Sequence, residues 1–237
     1  MILEICVETL AGAKAAQAGR ADRIEVCASL ALAGLTPSTG LVEQCVMLEP
    51  PRVMMMIRPH ARDFVYDCDE IGAMLNDIQD AKRLGVQGVV FGALTHDGQL
   101  DKAVCRRLVD AARPLEITFH RAFDLVREPM QALEQLIDLG FDRVLTSGQA
   151  DNAVSGIESL KKLVQVAAER ISIIVAGGVR AENVQQLKET GAREFHSSAR
   201  KLDQSASITR KGQIGELSEV SELEVRRLAI AVHSDED

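Results

Sequence analysis

The sequence predicts a single (β/α)8 barrel over residues 1–237, and three observations carry that expectation. Eight short strand-like stretches alternate with helical stretches at a spacing of about 25 to 35 residues, as crossover-linked parallel strands require. The stretch Glu116-Ile-Thr-Phe-His120 alternates, with Glu116, Thr118 and His120 on one face and Ile117 and Phe119 on the other. A polar face is unusual for a strand covered by helices, and polar groups at strand carboxyl ends are where α/β proteins keep their chemistry. Finally, no Gly-x-Gly-x-x-Gly opens the first helix, which weighs against the runner-up, a doubly wound open sheet.

The elements follow in order. Residues 2–7 read as the first strand and Ala11–Ala18 as a small-residue helix ended near Gly19. Arg23–Cys27 is the second strand, and both strands carry the pattern Glu-apolar-Cys, as Glu4-Ile-Cys6 and Glu25-Val-Cys27. A period of two puts each Glu and Cys on one face and Leu3, Ile5, Ile24 and Val26 on the other. The apolar face must pack on helices, so the Glu/Cys face points into the barrel. Neighbouring parallel strands lie about 4.8 Å apart, which brings Cys6 and Cys27 within reach of one ion.

After the turn-rich loop Ala33–Gly40 and a short helix at Leu41–Leu48, Arg52–Arg58 forms the third strand, with Met54, Met56 and Arg58 on one face. Asp69–Leu84 is an amphipathic helix stopped at Gly85, Gly88–Phe91 the fourth strand, and Asp101–Ala112 a helix. Leu115–His120 is the fifth strand, running into a loop with Arg121 and Asp124 before the helix Glu128–Leu139. The sixth strand starts at Arg143–Leu145 and ends on Thr146-Ser147-Gly148; a helix follows over Ala153–Arg170. The seventh, Ile171–Val175, closes on Gly177-Gly178, followed by a helix at Glu182–Lys188 and an eighth strand at Glu194–His196. The polar segment Arg200–Gly215 then precedes a last helix near Glu216–Val232 and an acidic tail, 233–237, expected to fray.

Composition excludes several function classes. No run of about 18 apolar residues exists, so no membrane span is expected. Met1-Ile-Leu-Glu-Ile enters a strand at once and leaves no room for a signal peptide. Five scattered cysteines suit reduced thiols in the cytoplasm rather than a disulfide framework. A net charge of −8, a single tyrosine (Tyr66) and no tryptophan make nucleic acid an unsuitable partner.

The segments Ala21-Asp-Arg-Ile-Glu-Val-Cys27, Gly34-Leu-Thr-Pro-Ser38, Met56-Ile-Arg-Pro59 and Gly88-Val-Val-Phe-Gly92 resemble the CutC family. So do Thr118-Phe-His-Arg-Ala-Phe-Asp124, Arg143-Val-Leu-Thr-Ser-Gly148 and Glu194-Phe-His-Ser-Ser198, in the same order, from residue 2 to about 199. The resemblance implies a cytoplasmic TIM-type barrel, usually a homo-oligomer, labelled a copper homeostasis protein. It also implies Cys6 and Cys27 as Cu(I) ligands. The loop Arg58-Pro-His-Ala-Arg-Asp-Phe64 departs from the family's Gly-rich form, as does Gly19-Arg20 from its double glycine.

Two functions remain. In the first, soft thiolates of Cys6 and Cys27 hold Cu(I); the alternative is that both are small buried hydrophobes. In the second, an enzyme acts on a small anionic metabolite, with His120 as general acid or base and Arg58 as anion clamp. Glu4, Glu25 and His196 would face the same chamber, and Asp124 would orient His120 or Arg121 or simply cap a helix. The alternative there is an ion-pair lattice filling the barrel. Thr146, Ser147, Gly148, Gly177, Gly178, Ser197 and Ser198 are candidate donors to a bound anion at the sixth, seventh and eighth strand ends. The segment 200–215 would lie on the mouth side, as a solvated connection or a cover.

Overall fold

The computed structural model of the protein describes residues 1–202 and 218–234. Its strands are β1 (Ile2–Val7), β2 (Arg23–Val26), β3 (Arg52–Met56), β4 (Gly88–Phe91), β5 (Glu116–Phe119), β6 (Arg143–Thr146), β7 (Ser172–Val175) and β8 (Glu194–Ser197). They pair in parallel and in chain order, and β8 returns to β1 to close an eight-stranded barrel. Between them lie α1 (Leu10–Ala18), α2 (Thr39–Val46), α3 (Cys68–Leu84), α4 (Lys102–Ala112), α5 (Pro129–Leu139), α6 (Ile157–Ala167) and α7 (Val184–Lys188). α8 (Glu222–His233) packs on α1, α7 and β1 and completes the outer ring.

Local chemistry sets the helix ends. Thr9 Oγ1 accepts from the Gly12 N–H at 2.9 Å to start α1, and Asp101 does the same for Val104 in α4 at 3.0 Å. Asp67 and Glu70 form a reciprocal capping box at α3, and Gly85 and Gly140 end α3 and α5 in the left-handed conformation.

Strand parity divides the interior in two. Leu3, Ile5, Val7, Ile24, Val26, Val53 and Met55 face outward and join Ile71, Met74, Leu108, Leu133 and Leu160 of the helices in one continuous core. Each such side chain contributes about 1.5–3 kcal/mol on burial, so this layer carries the stability. Inside the barrel are two small apolar clusters, Cys27, Met54, Met56 and Val90 on one side and Leu145, Ile174 and Ala176 on the other.

The amino-terminal end of the barrel is closed by charge. Arg52, Glu116, Arg143, Glu194 and Arg23 are the first residues of β3, β5, β6, β8 and β2. They alternate in sign around the barrel: Arg52–Glu116 at 2.5 Å, Glu116–Arg143 at 2.5 Å, Arg143–Glu194 at 3.3 Å and Glu194–Arg23 at 2.6 Å. Arg23 pairs in turn with Glu4, so the lattice runs directly into the polar groups above it. Each buried charge meets an opposite one, which is the condition for its burial.

Three expected elements differ. Residues 121–125 form a 3-10 turn rather than a loop, started by the Ala122 N–H donating to His120 Nδ1 at 3.3 Å. The helix expected over Ala153–Arg170 is α6, beginning at Ile157, because the Ala153 N–H donates to the Gly177 carbonyl at 2.8 Å and holds that stretch on the barrel mouth. The helix expected from Glu216 begins at Glu222. Ahead of it β10 (Ser218–Val220) runs antiparallel to β9 (Arg200–Leu202), and the Ser221 N–H donates to Ala199 at 2.9 Å. The remainder of the 200–215 segment and residues 235–237 of the tail lie outside the described residues.

Candidate functional site at the barrel mouth

Glu4 and Cys6 come from β1, Glu25 and Cys27 from β2 and the residue after it, and His196 from β8. The strand register sets Glu4 beside Arg23 and His196, and Cys6 beside Glu25. His196 is held between two carboxylates: Nδ1 lies 2.7 Å from Glu4 Oε1 and Nε2 lies 3.9 Å from Glu25 Oε2. Burial alone would raise the Glu4 pKa, but Arg23 and His196 outweigh it and hold the group down at about 2. Glu25 is pushed up to about 7 by burial and by Glu4, against the pull of His196. Burial would depress His196, yet Cys6, Glu4 and Glu25 beside it keep the imidazolium well above its usual range. The trio therefore stores a proton next to a carboxyl that titrates near neutrality.

The two thiols differ. Cys6 is 7% exposed and its thiol points to the Ser197 carbonyl at 3.8 Å. Cys27 is fully buried, and burial with the Glu25 carboxylate drives its pKa well above that of a free thiol. Cys27 shares a small apolar cluster with Met54, Met56 and Val90. Gly34, at φ +87, lets a loop close over them: a Cβ there would lie 3.3 Å from Met56 Cε and 3.4 Å from Cys27 Sγ. Thiol and thioether are both soft donors, suited to Cu(I) and poorly suited to a hard cation. Among the described residues, no group of three or more His, Cys, Asp or Glu side chains is arranged to hold a metal ion.

A cavity of about 210 Å³ opens at the carboxyl ends of β7, β8 and β1. Cys6 and His196 line it, with Gly177, Gly178, Arg180 and Ser198 around the rim and Arg121 facing them. Neither His120 nor Arg58 borders it. Those two lie across the mouth, under Phe64, whose ring is 4.7 Å from the His120 ring and 4.7 Å from Arg58 Cζ. Arg58 does not present a free clamp, because it donates to the carbonyls of Leu32 at 2.8 Å, Gly34 at 3.1 Å and Arg62 at 3.0 Å. It ties two mouth loops together.

His120 is buried with its Nδ1 spent on Ala122, and burial together with Arg58 drops its pKa to about 3. Its Nε2 has no hydrogen-bond partner among the described residues. Asp124 does not touch His120. It accepts from Arg121 Nε at 2.8 Å and from the Thr146 and Ser147 hydroxyls, and so locks the 3-10 turn to the end of β6. Thr146, Ser147 and the Gly148 N–H are thereby engaged within the protein and offer no donor to an anion. Ser197 is likewise spent on the Val179 carbonyl at 2.8 Å.

Sequence reasoning passed over Arg180, the lattice arginines Arg23 and Arg143, and the place of Met54 and Met56 beside Cys27. Arg180 follows the Gly177-Gly178 turn directly, which was the one available signal that it stands at the mouth.

A family model described as the CutC family matches residues 1–201. The chain belongs to the CutC family. A CutC family protein of Glaesserella parasuis is 49% identical over 206 residues, covering 86% of this chain and 85% of its own. The human relative named copper homeostasis protein cutC homolog is 44% identical, covering 90% of this chain and 78% of its own. The crystal structure of CutC from Streptococcus agalactiae superposes with a TM-score of 0.80 at 34% identity, over 84% of this chain and 98% of that one. No helix among the described residues is long and apolar enough to cross a membrane.

Proposed function

We propose that this member of the family binds a Cu(I) ion as cargo through Cys6 and Cys27, with the Met56 thioether as the adjoining soft donor. The observation that carries the reading is the placing of Cys27, Met54 and Met56 in one cluster inside the barrel, beside a Cys6 that borders the mouth cavity. Cu(I) takes two or three soft donors, and Cys6 gives it a path in from the mouth. Binding displaces two thiol protons: Glu25, facing Cys27, is placed to accept one, and the Cys6 proton leaves to solvent through the mouth cavity. Cytoplasmic residence and homo-oligomeric assembly belong to the same proposal; the five free cysteines suit a reducing compartment. Titration of Cu(I) against a chromophoric Cu(I) chelator tests it. One tight equivalent is expected, lost in a Cys6→Ser, Cys27→Ser double variant; equal affinity in that variant would refute it.

A second reading, an enzyme acting on a small anionic metabolite, is favoured by a different observation. His196 stands between Glu4 and Glu25 and opens onto a cavity with two arginines. In this reading His196 and Glu25 move the proton, in place of the His120 expected from the sequence as general acid or base. Loss of turnover on a candidate substrate in His196→Gln, with His120→Asn still active, is the expected pattern. The reverse pattern would refute it.

A further inference from the structure

The mouth cavity holds more hydrogen-bond donors than the protein uses. Arg180 donates to Ser197 Oγ at 3.4 Å and has no carboxylate partner among the described residues. Arg121 is half exposed; its Nε is held by Asp124 and one terminal nitrogen by Ser147 Oγ at 3.0 Å, leaving the other terminal nitrogen without a partner among the described residues. Among the described residues, no protein acceptor meets the N–H of Gly177, Gly178, Val179 or Ser198, all of which line the same space. Among the described residues only one carboxylate, Asp124, lies against either arginine, and it already accepts from several groups on β6 and beyond. The rim is thus a cationic wall with more donors than the described residues offer acceptors.

We propose that this rim, Arg121 and Arg180 with the Gly177–Val179 and Ser198 amides, binds the phosphate of a small phosphorylated metabolite whose remainder reaches toward Cys6 and His196. Phosphate fits better than carboxylate because three terminal oxygens accept about six hydrogen bonds, matching two guanidiniums and a row of amides. A carboxylate has two oxygens and would leave several of these donors unmet. At about 210 Å³ the cavity is smaller than sites for drug-sized ligands, which points to a short-chain phosphate monoester rather than a nucleotide. Arg121 is fixed by Asp124 before any ligand arrives, so little side-chain entropy is lost on binding.

The inference does not rest on copper binding and would stand if Cys6 and Cys27 held nothing. It deepens the enzymatic reading by naming the ligand class, and it is separable from it, since phosphate binding without turnover would leave the site in place and remove the reaction.

Amide NMR titration of the full chain with inorganic phosphate tests it, with methyl phosphate and acetate as parallel arms at constant ionic strength. Saturable shifts are expected at Gly177, Gly178 and Ser198 for both phosphates, with acetate at least tenfold weaker. Arg180→Ala should weaken phosphate at least tenfold and Arg180→Lys should recover part of it. Arg121→Gln gives a second, independent loss if Arg180→Ala fails to fold. Shifts that rise linearly, spread over the surface, persist unchanged in either arginine variant, or appear equally with acetate would overturn the proposal.

Discussion

His196 Nδ1 and Glu4 Oε1 lie 2.7 Å apart at the meeting point of two charge systems, the lattice closing the base of the barrel and the polar wall of its mouth. Glu4 also pairs with Arg23, so one carboxylate neutralises a cation on each side. Removing its charge leaves Arg23 with Glu194 alone and His196 with the more distant Glu25. Glu4→Gln is expected to destabilise the fold by roughly 3–5 kcal/mol, the usual cost of breaking a buried pair. Urea unfolding at pH 7 measures it, and a cost under about 1 kcal/mol would show that the lattice is slack. Because the Glu4 pKa is lowered to about 2 in the fold, its contribution is complete above its ordinary value of 4.5 and fades as pH falls toward 2.

His120 gives a second acid-sensitive step at higher pH. Its folded pKa is depressed from 6.5 to about 3, so the unfolded chain takes up a proton first as pH falls. Stability is therefore complete above 6.5 and declines between 6.5 and 3. His120→Asn keeps an acceptor for the Ala122 N–H and removes the titration. Thermal unfolding across that window should fall less steeply in the variant than in the wild type; parallel slopes would contradict the assignment.

Gly92 exists for His120. A Cβ there would lie 2.7 Å from His120 Nδ1 and 2.9 Å from Phe119 Cζ. Gly92→Ala must push the ring off its cap, at an expected cost of about 1–3 kcal/mol by chemical denaturation. A neutral result would mean that the ring has room to move.

Met56→Leu tests the thioether apart from the thiols. The two side chains are nearly equal in volume, so stability should change by less than about 1.5 kcal/mol. Cu(I) affinity should fall by about tenfold, or about 1.4 kcal/mol. An unchanged affinity would leave Cys6 and Cys27 as the whole donor set.

The barrel was legible because parity and spacing are local properties. Leu3, Ile5, Ile24 and Val26 pack outward and Glu4, Cys6, Glu25 and Cys27 point inward, as period-two alternation requires. What alternation cannot convey is depth along the barrel axis or which loop lies over a strand end. His120 and Arg58 have inward parity, yet Phe64 covers them on one side of the mouth while the cavity forms on the other, beside His196. Inward parity suggests an ion-pair lattice only among Glu4, Glu25, Arg58, His120 and His196; the arginines and glutamates that build it sit at the starts of five strands and meet only once the barrel closes. The shortened α6 and α8 depended on tertiary hydrogen bonds from Ala153 and Ser221, which no helix propensity encodes.

X-ray absorption at the copper edge of the protein loaded with one equivalent of Cu(I) tests the central claim most directly. A shell of two or three sulfur scatterers is predicted, reduced by one in Cys27→Ser. A first shell of nitrogen and oxygen, or one that Cys27→Ser leaves unaltered, would contradict it.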